Sequence, residues 1–187
     1  MKLVDGKPTT KYSALNWSMV KPIFDKYTIC HEFPRRQVPV ETMRELHACL
    51  NTFTEALGGT FGSNGSRNLF YIAPILIHVT RQVERVEILV EENINGKRVH
   101  ANGRFEFVIC CGAKRVCIVE AKKTDSVYGI ATNYTEWIFI KRENEQILRE
   151  YSSLTLNNRE VPTLESLQTI AEIFHAMLVD NQQRKPS

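Results

Sequence analysis

Residues 103–122 contain two apolar, β-branched runs, Gly103-Arg104-Phe105-Glu106-Phe107-Val108-Ile109 and Val116-Cys117-Ile118-Val119-Glu120-Ala121-Lys122, joined through Cys110-Cys111-Gly112-Ala113-Lys114-Arg115. Runs of this kind form strands, and glycine in the join predicts an antiparallel hairpin, so the chain must build a sheet with at least one buried face. Glu106, Glu120 and Lys122 interrupt that pattern, and charge in a half-buried strand is costly unless something compensates it. A turn over Gly112-Ala113-Lys114 sets Cys111 opposite Arg115 and, in the same register, Glu106 opposite Glu120. Lys122 then shares their face, because strand side chains alternate with a period of two. Facing carboxylates repel, and one is pushed toward protonation unless a cation sits between them. Mg²⁺ suits such a place, since it binds through one or two carboxylates, waters and substrate phosphate, and Mn²⁺ accepts similar oxygen ligands. Lys122 would hold the scissile phosphate or activate the attacking water. In the plainer reading, Glu106 and Glu120 are outward carboxylates paired with Arg104, Lys122 or Lys123 on a solvated sheet face.

Glu106 followed by Glu120-Ala121-Lys122 at the end of a hydrophobic strand resembles the active-site signature of the PD-(D/E)XK, or restriction-endonuclease-like, nucleases, with glutamate where aspartate is usual. The longer string, from Gly103 through Lys123 and on through Val127-Tyr128-Gly129-Ile130-Ala131-Thr132-Asn133-Tyr134-Thr135-Glu136-Trp137-Ile138-Phe139, is similar to the C-terminal domain of oomycete Crinkler effectors, best over residues 84–180. The resemblance implies an α+β, restriction-endonuclease-like fold with a mixed β-sheet of about five strands flanked by helices. It also implies a Mg²⁺-dependent endonuclease with Glu106, Glu120 and Lys122 as catalytic residues, the metal on Glu106 and Glu120, and DNA as substrate. Crinkler effectors are secreted, enter plant cells and commonly act in the nucleus, which adds host proteins as partners. A first-helix glutamate often supplements the metal site in that superfamily. Glu45 and Glu55 are available for this, Glu55 being the one retained, and each serves equally as a solvated helix carboxylate. Arg104, Lys114, Lys123 and Lys141 flank the expected site and would position phosphate, or form an ordinary charged sheet margin.

One departure favours a rival reading, a catalytically inactive nuclease-like module that binds host proteins or DNA. The superfamily places a helix after the Glu-x-Lys strand, whereas here Lys123-Thr124-Asp125-Ser126 alone separate it from Val127. A parallel crossover needs about a dozen residues or more, so this connection predicts a tight turn into an antiparallel strand. A third reading is an assembly domain that forms a homodimer through its helical face.

With 187 residues, 43% hydrophobic and 24% charged, the chain suits one domain with a real core. It divides into a helical part over 1–83, a central sheet over 84–142 and a packing helix over 163–181. A net charge of +3 permits nucleic-acid contact without implying it. Cys30, Cys49, Cys110, Cys111 and Cys117 are odd in number and lack Cys-x-x-Cys or Cys/His zinc spacing, which indicates a reduced compartment and apolar packing roles. No apolar run approaches membrane-spanning length, and Met1 to Lys7 lacks the apolar core of a signal peptide; the Crinkler resemblance implies a secretion region upstream of this chain.

Residues 1–40, with prolines at 8, 22, 34 and 39, read as loop with a short helix near Ala14 to Asp25. Glu41 to Leu57 reads as an amphipathic helix with Met43, Leu46, Leu50, Phe53 and Leu57 on its stripe and a Gly58-Gly59 stop. Gly58 to Gly65 reads as a loop, since the phosphate-cradle alternative lacks a Gly-Lys-Ser/Thr ending and a preceding strand. Leu69 to Val83 reads as a helix kinked or begun at Pro74, with no chemistry assigned to His78. Glu84 to Glu92 alternates as a strand, turns at Asn95-Gly96 and returns toward Glu106. Val127 to Asn133 and Glu136 to Arg142 read as a second hairpin whose Trp137 and Phe139 fill a core in preference to stacking on a base. Gln146 to Leu156 is open between strand and irregular structure. Thr163 to Asp180 reads as a helix with Leu164, Leu167, Ile170, Ala171, Phe174, Met177 and Leu178 on one face, and with His175 beside that stripe and without chemistry.

Overall fold

Around Asn133-Tyr134-Thr135 the chain makes the tight reversal that its sequence predicts. The Asn133 side-chain oxygen accepts the Glu136 N–H (2.8 Å) and the Thr135 hydroxyl (3.1 Å), while Thr132 Oγ1 accepts the Tyr134 N–H (2.9 Å). Tyr134 takes φ 84°, unusual for a non-glycine residue, and its ring is fully buried against Tyr71 with centroids 5.1 Å apart. Burial holds the Tyr134 phenol in its neutral form, its pKa raised above the ordinary value.

The structure, a computed structural model, describes residues 3–4, 7–8, 10–11, 28–59, 65–95, 101–111, 114–115, 127–143 and 146–183. In chain order the strands are β1 (Leu3–Val4), β2 (Lys7–Pro8), β3 (Thr10–Lys11), β4 (Thr28–Cys30), β5 (Val86–Asn95), β6 (Ala101–Cys111), β7 (Lys114–Arg115), β8 (Val127–Thr132), β9 (Glu136–Glu143) and β10 (Gln146–Ser153). The helices are α1 (Val40–Leu57), α2 (Gly65–Thr80) and α3 (Leu164–Gln183). The class is α+β, as expected.

Among the described residues the strands form two mixed four-stranded sheets and a separate two-stranded ribbon, β1-β2, where the sequence suggests one sheet. The first runs β4-β10-β9-β8, antiparallel except that β4 lies parallel to β10. In the second, β6 pairs antiparallel with β5, while the start of β6 takes β3 in parallel and its end takes β7 antiparallel. Among the described residues no ladder joins β8 to the second sheet. The N-terminal loop region therefore supplies strands: β1 pairs with β2, β3 with β6 and β4 with β10. These strands are two or three residues long, too short for a period-two pattern to show in the sequence. The helix expected near Ala14 to Asp25 lies outside the described residues.

One apolar core joins both sheets to the helices. Met43, Leu46 and Leu50 of α1, Tyr71, Ile75 and Val79 of α2, and Leu167, Ile170 and Phe174 of α3 pack on Trp137 and Phe139 of β9 and on Ile109 of β6. Trp137 and Phe139 are fully buried and stacked at 6.1 Å, which assigns them to the core. One residue departs from expectation, Pro74. Helix α2 starts at Gly65 and passes through Pro74 without a break. The backbone acceptor that Pro74 leaves without its usual donor belongs to Phe70, which is well exposed, so water can satisfy it. Helix α1 ends at Gly58 with φ 76° and ψ 173°, a region reserved for glycine. The Tyr71 hydroxyl donates to the Gly58 carbonyl and fixes that geometry. Gly58→Ala is expected to cost about 1–3 kcal/mol, read as a lower urea midpoint at unchanged slope.

Thr163 caps α3. Its carbonyl accepts the Leu167 N–H (3.0 Å), and its hydroxyl accepts that of Ser166 (3.4 Å).

Candidate functional site

Strand β6 alternates cleanly, and the alternation decides where Glu106 sits. Phe107, Ile109 and Cys111 pack toward the helical core together with Val86 and Ile88 of β5. Val108 and Cys110 take the other face, packed with Leu89. Glu106 shares that second face by the period of two and is exposed. The ladder to β5 is listless here: it passes from Val90↔Phe107 to Glu92↔Phe105 and skips the step between, where Glu91 takes φ 59°. Glu91 thus stands across from Glu106, an acidic neighbour that the hairpin argument from sequence did not single out. The break in the ladder left no mark in the residue pattern.

The hairpin register differs from expectation by one residue. Cys111 pairs with Lys114 and Cys110 with Arg115, across a two-residue connection, where a three-residue turn would have set Cys111 opposite Arg115. A one-residue slip exchanges the two faces of a strand, and the start of the hairpin does not have the register that would set Glu106 opposite Glu120. Glu120, Lys122 and Lys123 lie outside the described residues. Arg104 and Lys114 occupy ladder positions opposite Asn93 and Cys111.

Lys141 belongs to the other sheet, on β9 between Tyr128 and Leu148. Its ammonium lies 3.2 Å from Glu143, 3.9 Å from Asp180 and 5.6 Å from the Tyr128 ring centroid, so carboxylates already compensate its charge. Glu55 is exposed on α1 and accepts a hydrogen bond from Asn51 (2.8 Å), while Glu45 lies 3.9 Å from Arg81. Both have the partners of solvated helix carboxylates. Among the described residues no three His, Cys, Asp or Glu side chains converge on a point that could hold a metal ion. Of the two expected Mg²⁺ ligands, the described residues contain Glu106, whose carboxylate oxygens have the right hardness for that ion.

Cys30, Cys49 and Cys111 carry free thiols. Cys30 is exposed, unlike the packing role expected of it, whereas Cys110 is buried. Burial raises the pKa of Cys49 and Cys111, and the neighbouring Cys110 raises Cys111 further, which keeps both as poorly reactive thiols. Cys117 lies outside the described residues. No helix among the described residues is long and apolar enough to cross a membrane.

His175 is buried in α3 with Nδ1 3.1 Å from the Gln37 carbonyl. Desolvation lowers its pKa below the ordinary 6.5, outweighing the backbone hydrogen bonds at Gln37 and Arg36, with the Arg36 charge adding to the depression. The unfolded chain therefore binds a proton at His175 more readily than the folded one does. Stability is full above about pH 6.5 and falls as pH drops below that value toward the lower folded pKa. Urea midpoints at pH 7.5 and 5.5 are expected to differ less in His175→Gln than in the unaltered protein.

The described fold defines a two-sheet α+β domain whose candidate acidic residue lies on the sheet face turned away from the helices. In sequence the chain is similar to Crinkler effector protein 5 of Phytophthora infestans, 32% identical over an alignment 196 residues long, gaps included, that takes in 92% of this chain and 55% of the relative. The chain thus spans about half the length of the curated relative it matches. No family model matches the chain, and no solved structure does.

Proposed function

We propose that this chain is an effector domain of the Crinkler kind, derived from a PD-(D/E)XK nuclease, that acts on DNA inside a host cell and within its nucleus. The observation that carries the reading is the similarity to Crinkler effector protein 5 along 92% of the chain. The nuclease element rests on the sequence pattern of Glu106 with Glu120-Ala121-Lys122, on strand β6 carrying Glu106, and on the exposure of that residue. In this reading Glu106 and Glu120 would hold Mg²⁺, which would supply an acidified water and offset phosphate charge. Lys122 orients the phosphodiester, and Arg104, Lys114 and Lys123 supply backbone-phosphate contacts that carry no base preference.

The test is incubation of plasmid and linear DNA with the protein in Mg²⁺, Mn²⁺ or EDTA, alongside Glu120→Ala and Lys122→Ala. Metal-dependent cutting that both substitutions abolish supports the enzyme. Retarded DNA without cutting, unchanged by either substitution, sinks it and leaves a nuclease-derived binding module. That second reading has a specific observation in its favour, the Cys111↔Lys114 pairing at the start of the hairpin, one residue off the register on which the expected alignment of the two glutamates rested.

A further inference from the structure

A cleft of about 260 Å³ opens between the loop after β4, the C-terminal half of α3 and the inner face of β8-β9, away from β6. Its apolar walls are Phe33, Pro34, Met177 and Val179, and its polar groups come from Arg35, Arg36, Lys141, Tyr128 and Asp180. Phe33 and Met177 are core residues, 2% and 3% exposed, so packing holds the wall they form in place.

The charges can be matched in turn. The Arg35 guanidinium is held by the Glu150 carboxylate, which also accepts the Phe33 N–H (2.6 Å). Lys141 lies beside Glu143 and Asp180, and the Tyr128 hydroxyl donates to Asp180. Arg36 remains. Its backbone is tied down, with its N–H donated to the Glu172 carbonyl (3.1 Å), but among the described residues its guanidinium has no carboxylate or carbonyl partner. A concave site with apolar walls and a few convergent polar groups is the usual setting of a small-ligand site. One uncompensated guanidinium calls for a single negative charge, and its planar fork matches a carboxylate through two parallel hydrogen bonds.

We propose that this cleft binds a small monocarboxylic acid, its carboxylate on Arg36 and its apolar body against Phe33, Met177 and Val179. A dianionic phosphate suits it less well, because Asp180 lies in the same wall and a second negative charge would find no unmatched cation.

The test is calorimetric titration of the full chain with 3-phenylpropionate, hexanoate, 3-phenylpropionamide and inorganic phosphate, repeated on Arg36→Gln and on Ala176→Phe, which fills the cleft. Saturable binding of at least one of the two carboxylates is expected. Arg36→Gln should weaken it about tenfold or more, the usual size of losing a charge-assisted pair, and Ala176→Phe should abolish it. The amide should bind at least as weakly as the carboxylate does to Arg36→Gln. The unchanged melting temperature of Arg36→Gln, an exposed side chain, would show that folding is intact. The proposal is overturned if neither carboxylate saturates, if amide and acid bind alike, or if phosphate binds more tightly than both acids. Because it uses no residue of the β6 hairpin, binding here and DNA cleavage there succeed or fail separately.

Discussion

Trp137→Ala is expected to destabilise the fold by about 3–5 kcal/mol, the largest stability effect of any single change considered. Trp137 is fully buried, stacks on Phe139 and donates its indole N–H to the Tyr134 carbonyl at 2.6 Å. Truncation leaves a cavity among helices that are themselves pinned by long hydrophobic stripes, so the gap closes poorly. It also removes the donor from a buried carbonyl in the β8-β9 turn, where Tyr134 already occupies an unfavourable backbone region. At this chain length the loss corresponds to a melting-point drop of roughly 6–20 °C. Trp137→Phe separates the contributions, since it keeps most of the volume and loses the hydrogen bond, and should cost about half as much or less. A drop under about 1 kcal/mol for Trp137→Ala would place the indole outside the core.

Glu120→Ala and Lys122→Ala are each expected to lower metal-dependent DNA cleavage by about a hundredfold or more, the scale on which a group that handles the attacking water acts. Glu106→Ala is the sharper experiment, because it asks about geometry as well as chemistry. Should Glu106 share the ion with Glu120, its removal costs as much as that of Glu120, and raising Mg²⁺ recovers part of the rate. Should the register seen at Cys111↔Lys114 govern the hairpin, Glu106→Ala leaves cleavage within a few-fold of normal while Glu120→Ala still abolishes it. Single-turnover assays across a Mg²⁺ series distinguish the two.

What could be read from the sequence followed the length of each repeating pattern. Helix α1 begins one residue before its expected start and ends where expected, and α3 overruns by three residues, since each shows several turns of apolar spacing and a clear stop or cap. The β8-β9 hairpin was equally legible, with Asn133 at the reversal and aromatic residues alternating along its second arm. Gln146–Ser153 could not be decided, because Leu148 alone marks its buried face while Arg149, Glu150 and Tyr151 interrupt the pattern; its strand character comes from pairing on both edges, with β9 and with β4. Pro74 suggested a boundary that packing overrode, as Tyr71, Ile72, Ile75 and Leu76 bury both sides of the break. The candidate site was the least legible part. Turn length sets register, and Gly112-Ala113-Lys114 is compatible with two- and three-residue connections that differ by the whole facing of the strand. The cleft around Arg36 left no local signal, because its residues come from four separated stretches of chain.

The parallel pairing of β4 with β10 also governs the order of events during synthesis. Thr28 meets Ile147, and the Phe33 N–H meets Glu150, so one segment waits for another made more than a hundred residues later. Closing so long a stretch carries an entropic cost that local helix formation does not repay. On the ribosome, α1 and α2 can form and associate while β4 stays without a partner. The edge of the first sheet is sealed after residues 146–153 emerge, and until then this part of a nascent chain stays open to chaperones and proteases.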